Sequence, residues 1–120
     1  MDYIGKIDKK KFAGISENIL TDDVILTENQ KQHIIKNRAE TYERYKNKLQ
    51  EIITEPDFIL KDPKHNDTAL IIKKYENNAE IVLKLSTETE NKKNSIITLW
   101  EIKEARLNRY LFTHKIIYKK

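Results

Sequence analysis

Cysteine is absent from the 120 residues, and only two glycines, two prolines, one methionine and one tryptophan occur. Without thiols, neither disulfides nor thiolate metal sites are available, and nothing suggests secretion, so a cytoplasmic setting is expected. With so little Gly and Pro there is no linker or low-complexity tract. That predicts one domain over residues 1–120, with 1–23 a less regular N-terminal segment and 24–120 the core. No apolar run approaches the roughly 20 residues of a membrane span, and MDYIGKIDKK lacks the apolar core of a signal peptide. No membrane partner is expected. The three histidines, 33, 65 and 114, lack ligand spacing, so no metal is expected. A Gly-rich phosphate loop, a G-x-S-x-G turn and an H-E-x-x-H pair are all missing, and no cofactor is expected.

What is present is charge and aromatic bulk. Charged residues make up 35% of the chain and hydrophobic ones 38%, with six Tyr and three Phe, a balance that suits a folded protein. The net charge is +4 and the pI about 9.1, which fits a polyanionic partner. Basic residues gather at the ends, as KIDKKK over 6–11 and as Lys103, Arg106, Arg109, Lys115, Lys119 and Lys120, where Glu104 is the only carboxylate side chain.

YIGKI suggests a short strand, and DVIL a second at 24–26. Thr27 then opens a helix, because T-E-N-Q sets a hydroxyl at the N-cap and Gln30 three residues on, the spacing of a capping box. At about 100° per residue, Ile34, Ile35, Tyr42, Tyr45, Leu49, Ile52 and Ile53 fall in one sector, predicting an amphipathic helix or pair of helices over 28–53. Arg38 lies inside that apolar sector, whereas His33 faces away from its centre. Pro56 and Pro63 then bracket PDFIL, a short extended segment.

Three strand-like runs follow, TALIIKKY, AEIVLKLST and SIITLWEI, joined as an antiparallel meander through Glu76-Asn77-Asn78 and the polar loop TETENKKN. Alternation puts Ile81, Leu83 and Leu85 on a covered face, and Val82, Lys84 and Ser86 on an open one. KEARLNRYLF reads as a short basic helix or crossover, and HKIIYKK as a last strand. The expected fold is α+β, with an N-terminal helix or helices packed on a curved, mainly antiparallel sheet of four to five strands.

Taken in order, His33-Ile34, Pro56-Asp57-Phe58-Ile59, Lys93 through Trp100, Arg109-Tyr110-Leu111 and Lys115 through Lys119 resemble the phage-associated barnase, EndoU, colicin and RelE-like nuclease domains. The resemblance runs from GKID to the C-terminus. It implies helices on a curved antiparallel sheet, and metal-independent RNA cleavage on the open face. It also implies RNA as partner, with a phage protein or an immunity protein as a further one. In that family the helix His is followed five residues on by a second His and then Pro; here Arg38 and Ala39 stand at those positions. A non-catalytic phage module that binds protein or nucleic acid is therefore the alternative.

Metal-free RNA cleavage needs a base for the 2′-hydroxyl, an acid for the departing 5′ oxygen and cations for the phosphorane. His33 is the expected base or acid, since an unperturbed pKa of about 6.5 allows both states near neutrality. Arg38 suits bidentate phosphate contact, and Thr98 completes the expected catalytic set. Lys84, Ser95, Arg106, Arg109, His114 and Lys115 are the expected nucleic-acid contacts, with His114 a substitute acid or base; His65 reads as a loop residue.

Overall fold

The computed structural model describes residues 1–88 and 93–120, so residues 89–92 of the predicted TETENKKN loop lie outside the described residues. The elements run β1 (Asp2–Lys6), a 3-10 turn (Lys9–Phe12), β2 (Asp23–Leu26), α1 (Glu28–Asn37), α2 (Ala39–Tyr45), α3 (Leu49–Thr54), β3 (Phe58–Lys61), β4 (Thr68–Lys74), β5 (Asn78–Lys84), β6 (Asn94–Ile102), α4 (Glu104–Thr113) and β7 (Ile116–Lys119). The strands form one seven-stranded sheet in the order β1-β2-β6-β5-β4-β3-β7.

This architecture corrects the expected fold. It is α+β, but the sheet has seven strands rather than four or five, and it is mixed, because β2 runs parallel to β6. The helices are not N-terminal; they follow the first two strands. The short runs in YIGKI, DVIL, PDFIL and HKIIYKK all pair into the sheet, and the first 23 residues supply core through Ile7 and Phe12.

Alternation along the central strands builds two cores, one on each face. Ile59, Ile71, Ile81 and Leu83 pack with Ile34, Tyr45, Ile52 and Ile53 of the first three helices. Leu60, Leu70, Ile72 and Val82 point the other way and pack with Leu107 of α4. The second face is therefore covered at one end by α4 and open at the other. Among the described residues, no helix is long and apolar enough to cross a membrane.

The long predicted helix is broken twice. Thr27 caps it as expected, its Oγ1 accepting from the Gln30 N–H at 3.3 Å. At Arg38 the backbone leaves helical geometry (φ −147°, ψ 56°), although its N–H still donates to the Ile34 carbonyl at 2.7 Å. The break turns α2 onto the sheet, where Tyr45 Oη donates to Glu101 Oε2 at 2.7 Å and Arg44 pairs with the same carboxylate. With the second break before Leu49, three short helices cover the apolar face where one straight rod would leave it.

Gly5 sits at a bulge in β1 with φ +150°, and a Cβ there would lie 3.1 Å from Gln50 Cγ of α3. That backbone region is open essentially to Gly alone. Gly5→Ala is expected to destabilise the protein by roughly 1–3 kcal/mol, read as a lower Tm. An unchanged Tm would mean that β1 relaxes freely around the bulge.

Candidate active site

The open part of the second face is a cleft of about 660 Å³. Its floor comes from β4 (Thr68, Leu70), β5 (Glu80, Val82, Lys84) and β6 (Thr98, Trp100). One wall is α4, through Arg106, Tyr110 and then His114 just beyond its end; the other is the β3–β4 turn, Asp62 to His65. Helical spacing explains the α4 wall, because residues four apart share a face. Arg106 Nε donates to Tyr110 Oη at 3.1 Å, and the Tyr110 and His114 rings lie 4.7 Å apart.

Glu80 is the unusual residue in this cleft. It is 0% exposed, and neither carboxylate oxygen has a hydrogen-bonding partner. Its cross-strand neighbour Trp100 brings its indole N–H close enough to pull on the carboxylate but not into hydrogen-bonding geometry. Burial pushes the Glu80 carboxyl up to about 7, against the weaker opposing pull of the Trp100 dipole and the Arg106 charge. A buried carboxylate without donors is costly, so proteins seldom keep one that has no work to do. Poised near 7, it can both take and release a proton at neutral pH.

Two histidines share the cleft. His114 is half-buried, with Nδ1 2.8 Å from Thr113 Oγ1, which leaves Nε2 for a ligand. His65 is exposed, and its Nδ1 lies 3.1 Å from Asp62 Oδ2. Burial would raise Asp62, but the Lys64 backbone N–H and His65 outweigh it and hold the carboxyl below its ordinary range. Lys84 is anchored by donating to the Asn66 carbonyl at 2.7 Å.

The remaining expected residues are dispersed. His33 and Arg38 line a second cleft of about 540 Å³, with Asn29 and Gln30. A ridge of Ile97, Thr98 and Trp100 borders both clefts. The Arg38 guanidinium lies 4.8 Å from the Trp100 ring centroid, and its Nη1 reaches Thr98 Oγ1 at 3.5 Å. That contact explains a cation on an apolar stripe: the helix break releases Arg38 onto an aromatic ring. His33 is exposed and engaged by Asn37, whose Nδ2 lies 3.2 Å from His33 Nδ1. Ser95 sits opposite Lys84 and lines a smaller groove with it. Arg109 and Lys115 are exposed and line neither main cleft.

The structure thus brings Lys84, Thr98, Arg106 and His114 together, sets His33 and Arg38 beyond the ridge, and adds Glu80, His65 and Tyr110, none of which the sequence reading placed in the site. Glu80 did leave a signal. A charged residue stands between Ala79 and Ile81 in an otherwise apolar run of β5, where Glu is disfavoured. Among the described residues, no three His, Cys, Asp or Glu side chains gather as a metal site would require.

A family model described as phage-Barnase-EndoU-ColicinE5/D-RelE like nuclease2 matches residues 1–119. No curated protein and no solved structure matches the chain.

Proposed function

The chain belongs to the phage-Barnase-EndoU-ColicinE5/D-RelE like nuclease2 family, and on that premise we propose that it is an endoribonuclease that cleaves RNA without a metal in the Glu80 cleft. The observation that carries this reading is the buried, unpartnered Glu80 carboxylate with its pKa near 7, beside an arginine and two histidines. A base, an acid and fixed cations are the three things in-line attack by a 2′-hydroxyl requires. DNA has no such hydroxyl.

In the proposed reaction Glu80 takes the 2′-hydroxyl proton as O2′ attacks the phosphorus. A 2′,3′-cyclic phosphate forms, the P–O5′ bond breaks, and His114 gives its proton to O5′. Arg106 is held through Nε, so the outer edge of its guanidinium can meet two phosphate oxygens at once. Lys84 adds a second positive charge at the cleft floor. Both Glu80 oxygens are shielded in this structure, so substrate must uncover them. Arg106 is exposed and its charge faces the carboxylate, which makes it the group a phosphate would draw outward.

The test is incubation with total RNA and tRNAs in EDTA, with sequencing of the cleaved ends, beside His114→Ala. Cyclic phosphate ends in EDTA and a loss of about 10²-fold or more in the variant are expected. Cleavage that appears only when divalent cation is restored would overturn the metal-free mechanism. RNA left intact in both conditions at high protein concentration would favour a binding module.

A further inference from the structure

The second cleft needs an explanation that the first does not supply. It is open, and its polar side chains, His33 and Arg38 among them, lie across the ridge from Glu80. Asn29 and Gln30 project from the first turn of α1, His33 from the next turn, and Arg38 from the break. A β-bulge shapes the shared ridge. In the β5–β6 register Val82 faces Thr98 and Leu83 faces Ile96, so Ile97 is left over and turned outward. Ile97 is 37% exposed, an unusual state for an isoleucine in a sheet interior. Next to it the Arg38 guanidinium lies against the Trp100 ring.

An aliphatic side chain, a planar cation on an aromatic ring and two carboxamides together match the chemistry of a nucleobase. The planar groups offer stacking, which tolerates any base, and the amides offer paired donor and acceptor atoms for a base edge. Resting on the ribonuclease reading above, we infer that this second cleft seats the nucleotide adjacent to the one held over Glu80, with Ile97 and the Arg38–Trp100 ledge packing its base and Asn29 and Gln30 reading its edge. The ridge then separates two consecutive nucleotides, and base preference at the second position arises beyond the ridge from the chemistry.

The experiment compares two substrates and one uncleavable ligand. A ribonucleoside 3′-(4-nitrophenyl) phosphate carries a single nucleoside and fills the first cleft alone, whereas a hexaribonucleotide reaches both. A 2′-fluoro hexamer binds without being cut. Arg38→Ala and Gln30→Ala are expected to lower kcat/KM on the hexamer at least about tenfold more than on the aryl ester, mainly through KM, because Arg38 supplies the stacking surface and Gln30 the edge contact for a base that only the hexamer carries. Both should weaken 2′-fluoro hexamer binding by a similar factor, and Gln30→Ala should flatten the discrimination among hexamers that differ in one base. Equal losses on the two substrates, or unchanged hexamer binding, would overturn the subsite. If the wild-type protein cuts neither substrate yet loses hexamer binding in both variants, the subsite stands and the ribonuclease reading falls. If it neither cuts nor binds, both fall.

Discussion

Glu80→Gln is expected to lose RNA cleavage by about 10²–10⁴-fold and, in the same molecule, to become the more stable protein above neutral pH. The two effects share one cause. Burial without hydrogen-bond donors holds the native carboxyl near 7, against an ordinary value of 4.5. Between those values the native state keeps a proton that the unfolded chain has released, so wild-type stability falls as pH rises through that window. Below about pH 4.5 the penalty vanishes, and above 7 it is fully present, on the order of 3 kcal/mol. Glutamine cannot ionise, so its stability is flat across the same range. The variant should match the wild type near pH 4.5 and exceed its Tm by about 12 °C at pH 8, taking about 4 °C per kcal/mol for a chain of this length.

The activity of the wild type should follow the same titration, with kcat/KM falling on the acid side at a midpoint near 7 as the base becomes protonated. Thermal melts and initial rates across pH 4.5–8.5 read both at once. A variant that still cleaves removes Glu80 from the chemistry. A variant whose Tm tracks the wild type at every pH means that the carboxyl is not buried in solution as it is here. Loss of activity alongside a gain in stability is the pattern of a residue kept for function at a cost to the fold.

The sequence carried the central strands well and their assembly poorly, for physical reasons that differ by element. β4 and β5 are seven residues each, long enough to show that they are strands, and in β5 the two-residue alternation also fixes the facing. β2, β3 and β7 have four residues apiece, too few for periodicity to separate a sheet member from an extended linker. Two of the pairings are also remote: β2 lies beside β6, and β7 lies beside β3, neighbours no local pattern encodes. The helix break at Arg38 is invisible locally because the residues that follow, AETYERY, continue good helix-forming composition. Glu80 shares a face with Val82 and Lys84, which alternation reads as solvent. Its burial comes from α4 and the Asp62–His65 turn closing over that end of the sheet. His65 was hidden for the same reason, since a turn gains its meaning from the cleft it borders. Thr27, Lys84, Arg106 and His114 were legible because cap chemistry and charge survive any rearrangement of neighbours.

Asn94→Ala is expected to have the largest effect on stability among the polar residues, about 3 kcal/mol, and to act at the seam that positions the ridge. Asn94 is fully buried at the start of β6. Its Nδ2 donates to the carbonyls of Thr21 at 2.9 Å and Asp23 at 3.0 Å, and its Oδ1 accepts from the Ser86 N–H at 2.8 Å. The side chain therefore ties the chain entering β2 and the chain leaving β5 to the first residue of β6. The parallel seam is short, with Val24 facing Asn94 and Ile25 facing Ser95, so these three bonds are a large share of what holds β1 and β2 to the sheet. Alanine leaves one buried donor and two partly buried acceptors unpaired, at about 1–3 kcal/mol for the buried one and less for each of the others. Aspartate keeps the acceptor for Ser86 but sets a carboxylate against two carbonyls, so Asn94→Asp should be worse than alanine at pH 7 and recover in acid, where a protonated carboxyl can donate again. Hydrogen exchange gives the spatial readout. Amides of β1 and β2 should lose protection while those of α4 keep theirs, and, because Ile97 lies only three residues beyond Asn94, activity should fall before the global fold does. A Tm within about 2 °C of wild type, less than a 1 kcal/mol loss would produce, would mean that the apolar packing of Val24 and Leu26 alone secures the seam.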